Sequence, residues 1–131
     1  MGRRELREHI FRILFRHDFF PAEELDEQAA LYIENLKEPD PADAAYILEK
    51  SAKIMAMIPE LDELINSHTT GWNTRRMGKV DLTILRLAVY EMRYDEDIPA
   101  SVAINEAVEL GKRYGGDSTP AFVNGVLAKL I

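Results

Sequence analysis

A chain of 131 residues is the size of one domain and can bury about two-thirds of its unfolded surface without staples. It has no cysteine, which excludes disulfides and thiolate metal sites and points to a reducing, cytoplasmic setting; no apolar run approaches the roughly 20 residues of a membrane span. The net charge of −7 is uneven: residues 1–17 hold five Arg against two Glu, residues 18–66 three Lys against thirteen acids, and residues 67–131 eight of each.

The N-terminus is too charged for a secretory signal, and Leu6 stands where a myristoylation signal needs Ser or Thr. Apolar residues then recur at three- and four-residue spacing, which predicts helices, and the alternation of strands is absent. "RRELREHIFRILFRHDF" reads as a first helix with a stripe of Leu6, Ile10, Ile13 and Leu14; Pro21 ends it or starts the next. "AEELDEQAALYIENL" is a second, with acids in its first turn where the helix dipole favours them. Asp40 then Pro41 form an N-cap and first helical residue, opening "ADAAYILEKSAKIMAMI". Pro59 breaks that run and starts the shorter "ELDELINSH". A loop follows, with a short turn at residues 72–77. "VDLTILRLAVYEMRY" is apolar all round and so predicts a buried helix. "SVAINEAVELGKRY" comes next, closed by Gly115 and Gly116, and Thr119-Pro120 caps the last helix, "AFVNGVLAKLI". The expected fold is all-α: one compact domain of about seven helices in two sub-bundles that divide near residues 66–80.

Catalytic chemistry has little to stand on. His9 and His17 lie two turns apart and cannot share a metal, and no H-E-x-x-H, phosphate loop or nucleophile elbow occurs. Acid groups such as Glu60, Asp62 and Glu63 fit solvated helix starts. The first helix says more. Arg3, Arg4 and Arg7 share the side of the apolar stripe but precede its packed turns, so they are expected to project past the bundle end, with Phe11 and Phe15 along one edge. Guanidinium groups beside rings suit single-stranded nucleic acid; the same pattern fits core phenylalanines with arginines that merely solubilise the terminus. Arg86 sits among Ile84, Leu85, Leu87 and Ala88 and needs a charge partner, for which Glu106 on the next helix is the candidate. Asn105 and Asn124 are expected to satisfy backbone groups at loop ends, and Gly125 to permit close helix approach.

"DLTILRLAVYEM", "IPASVAINEAVELGKRYGG" and "FVNGVL", in that order, with "GRRELREHIFRILF" at the start, resemble the NusB family of transcription antitermination factors. The resemblance runs nearly the full length and is weaker over residues 20–70. It implies a non-enzymatic, cofactor-free adaptor. Such proteins pair with NusE, a small-subunit ribosomal protein, bind boxA RNA of nascent transcripts, and help RNA polymerase resist termination, notably on ribosomal RNA operons. It implies RNA contacts from Arg3, Arg4, Arg7 and Phe15, and from Gly116, Asp117 and Ser118 in the loop after "YG". It also implies a NusE-facing surface in the second half, with Asp81 the best single residue there. The family includes monomers and dimers. Many members carry Lys or Arg just before "FVNG"; this chain has Ala121. A helical protein–protein module without RNA binding is the alternative reading. RNA methyltransferases with a NusB-like N-terminal domain would need a separate catalytic domain.

Overall fold

The computed structural model describes Met1–Ile131 and contains seven α-helices and no strand. These are α1 (Arg3–Phe15), α2 (Leu25–Glu34), α3 (Pro41–Ala56), α4 (Ile58–Ser67), α5 (Lys79–Tyr94), α6 (Ala100–Tyr114) and α7 (Thr119–Ala128). Two single 3₁₀ turns, Arg16–Asp18 and Ala22–Glu24, link α1 to α2. No helix is long and apolar enough to cross a membrane. The chain divides into two units, Met1–Ala56 and Met57–Ile131. That boundary lies ahead of the expected 66–80, because α4 packs on α5 and so belongs to the second unit.

In the first unit α1 packs on α3. Ile10, Phe11, Ile13 and Leu14 bury the stripe the sequence predicts, against Ile47 and Ile54. α3 starts as expected: the Asp40 carboxylate accepts the Ala42 N–H at 2.7 Å, and Pro41 opens the helix. α2 buries none of its residues and lies against α1 and α3.

In the second unit α5 is the core element. Every residue from 82 to 91 is buried, and α4, α6 and α7 all pack on it. Leu61 and Ile65 of α4 and Val123 and Leu127 of α7 are fully buried. Pro59 sits in the first turn of α4, where its missing N–H costs nothing, and α3 stops before it. The expected turn at 72–77 is a turn and not a helix, pinned by Asn66, whose side chain accepts the Thr74 N–H at 2.8 Å.

Candidate functional site

The basic end of α1 is built in two layers. Arg3 and Arg4 are exposed. Arg7 is only 7% exposed and is engaged by neighbouring groups, so it does not project past the bundle end as the sequence suggested. One turn further into the helix it has reached the packed stripe. The chain start is anchored too: the terminal ammonium bonds to Asp43 of α3 at 2.9 Å. That hydrogen bond, with the carboxylate's charge, raises the ammonium's pKa above its ordinary value. Phe15 is half-buried between two rings, with Phe11 at 6.3 Å and Phe19 at 4.9 Å between centroids. Phe19 is 56% exposed. Arg16 lies 5.0 Å from the centre of the Tyr32 ring and donates to the Arg12 carbonyl at 2.7 Å. These rings and guanidinium groups make a surface on which a flat, anionic strand could stack and pair.

His9 belongs to the inner layer. Its Nδ1 is bonded to the Tyr32 hydroxyl at 2.6 Å. Burial lowers its pKa below the usual histidine value, the Arg12 charge adds to this, and Glu5 and Glu8 oppose it.

The second unit holds the other expected contact region. Gly116, Asp117 and Ser118 are all exposed. Thr119, the first residue of α7, fixes that loop from behind. Its Oγ1 accepts the Gly116 N–H at 3.1 Å and donates to Asp81 Oδ1 at 2.8 Å. A Cβ on Gly115 would lie 2.5 Å from Thr119 Cβ, so only glycine lets the chain pass this close. Asp81, expected as a partner-facing residue, is half-buried and holds the loop through Thr119.

The remaining polar residues divide. Arg86 is 4% exposed, and its Nε and Nη2 donate to the two oxygens of Asp62, each at 2.8 Å. This two-pronged clasp comes from the preceding helix, so Asp62 is not the solvated helix-start acid it resembled. Glu106 is half-buried and has contacts of its own. Asn105 and Asn124 are exposed and tie down no loop end. Gly125 faces open space, so the glycines that permit close approach are Gly111 and Gly115, both against Thr119. Sequence reasoning also missed Trp72, 53% exposed and packed edge-on to Phe122 at 5.4 Å, with Arg75 and Arg76 exposed on the same loop. Periodicity has no purchase on a loop, so no signal in the sequence could have placed that ring. No group of three His, Asp or Glu side chains gathers as a metal site.

Arg3, Arg4 and Phe15 lie in the first unit; residues 116–118 and Asp81 lie in the second. A model of the NusB family matches residues 4–131. The transcription antitermination protein NusB of Lachnoclostridium phytofermentans is 49% identical over 131 residues, covering 100% of this chain and 99% of that protein. Among solved structures, T. maritima NusB superposes with a TM-score of 0.88 at 34% identity, covering 99% of this chain and 90% of that one. A chain from a complex of the antitermination factors NusB and NusE with double-stranded RNA superposes at 0.76 with 27% identity, covering 96% and 92%.

Proposed function

The chain belongs to the NusB family, and we propose that it acts in the cytoplasm as a transcription antitermination factor. In this reading it binds boxA RNA of nascent transcripts, notably those of ribosomal RNA operons, together with NusE, and helps RNA polymerase resist termination. It works by binding and not by catalysis. The observation that carries this reading is the likeness to a transcription antitermination protein along the whole chain, through both units. The solved NusB and NusE complex with RNA supports the choice of partners.

Within that function Arg3, Arg4 and Phe15 contact RNA from the first unit, and Gly116, Asp117 and Ser118 from the second. Exposure supports the two arginines and the loop; the rings beside Phe15 support base stacking. Arg7 holds α1 in place for them. Asp81 acts by fixing the loop. Phosphate contacts position a strand without reading its sequence.

The test is a salt series of boxA RNA affinity for the wild type and for the double variant Arg3→Ala, Arg4→Ala. The variant is expected to bind more weakly, with a slope against log salt flatter by about 0.7 for each lost phosphate contact. Its unfolding midpoint stays close to wild type, because surface changes usually stay within about 0.5 kcal/mol. An unchanged affinity and slope would move the RNA path off the end of α1.

A further inference from the structure

The first unit contains a cleft that none of the proposed RNA-contacting residues lines. It encloses about 440 Å³ between α2 and α3. Its walls are Leu25 and Ala29 from α2 and Leu48, Ala52 and Met55 from α3, over a floor at Ile13. Alanines stand where larger side chains would have closed the gap between the helices. Ser51 also lines the cleft, is 1% exposed, and its hydroxyl has no hydrogen-bond partner. A buried hydroxyl left without a partner is costly to the fold. α2, the outer wall, buries none of its own residues.

The rim is anionic. Asp26 lines the cleft itself, Glu27 and Glu49 are exposed on the same two helices, and Glu23 is exposed on the 3₁₀ turn before α2. Residues 18–56 hold ten carboxylates against three lysines, a net charge of −7. RNA would be repelled from such a rim. The one strongly basic amphipathic helix of this chain is α1, whose apolar stripe is already buried, so a second copy has no matching element to offer.

We propose that this cleft docks a basic amphipathic helix of a partner protein. Its apolar side chains enter between Ala29 and Ala52, and its cations meet Asp26 and the neighbouring carboxylates. The assignment is independent of the RNA-binding reading.

The probe is a fluorescein-labelled synthetic helix of roughly 16 residues, long enough to form in water, with Leu at helical spacing and Lys elsewhere. Its Lys→Glu counterpart is the control. In anisotropy titrations the Lys helix is expected to bind saturably and the Glu helix not at all. Ala52→Trp fills the cleft and should weaken binding about tenfold or more, and Asp26→Asn a few-fold. Ala52 is exposed, so the substitution does not crowd the core. Should it nonetheless unfold the unit, amide shift changes on wild type decide: they are expected to cluster at Ala29, Ser51 and Ala52. Equal binding by Ala52→Trp, or shifts scattered over the acidic surface, would overturn the proposal. So would self-association, or occupancy by an uncharged apolar dye alone.

Discussion

Arg86 lies on the most buried helix of the chain, so its charge needs an answer from a neighbouring element. The apolar run around it made that need legible in the sequence. That Asp62 of the preceding helix would clasp it was not legible, because Asp62 reads as a solvated helix-start acid until the helices are packed. Asp62→Ala leaves a guanidinium short of its two-pronged partner and should destabilise the protein by about 3 kcal/mol in urea unfolding. Replacing Arg86 and Asp62 together with Leu should cost less, because neither member of this pair is left without the other. An Asp62→Ala protein as stable as wild type would mean the pair contributes nothing. His9 makes a second prediction at this scale. Its folded-state pKa is lowered, so the unfolded chain takes up a proton first as the pH falls. Its contribution to stability is complete above the unfolded value of about 6.5 and is lost as pH falls from there toward the lower folded pKa. The melting temperature of His9→Gln should therefore change less between pH 7.5 and 5.5 than that of wild type, on the order of the usual histidine range. A wild-type profile no steeper than the variant's would show that His9 titrates alike in both states.

Helices of strong periodicity were readable one by one. α5 has apolar residues on every side and is buried on every side; α3 begins at the Asp40–Pro41 pair that the sequence marks. What resisted reading was weakly patterned. The second helix is shorter than expected because its first residues, Ala22–Glu24, wind as a 3₁₀ turn, and Glu24 then stands as the N-cap of α2. The two glycine-bearing motifs were readable as motifs but not as geometry. Gly115 and Gly125 look alike in sequence, yet one faces Thr119 and the other open space. Gly115→Ala should therefore destabilise the protein by about 1–3 kcal/mol through overpacking and loosen the Asp81–Thr119–Gly116 chain. Gly125→Ala, inside α7, should stabilise it by up to about 1 kcal/mol through helix propensity alone. Urea unfolding of the two variants side by side decides this, and shifts of the same sign would contradict it.

Across the whole molecule, charge is divided as the sequence shows: basic at the start, acidic through residues 18–66, and balanced beyond. That division was readable without a structure, and so was the all-helical class. The split after Ala56 was not, because it depends on which helix α4 packs against. The division also explains why a small acidic protein would need help to hold RNA. Of the five arginines in residues 1–17 only Arg3 and Arg4 are exposed, which means few phosphate contacts there, hence modest affinity and a shallow salt dependence for the protein alone. A partner that adds cations should raise both together. The most direct test is boxA RNA affinity across a salt series, measured with and without NusE. Binding tighter and more steeply salt-dependent with NusE is the predicted result; the same affinity and the same slope in both arms would contradict the account.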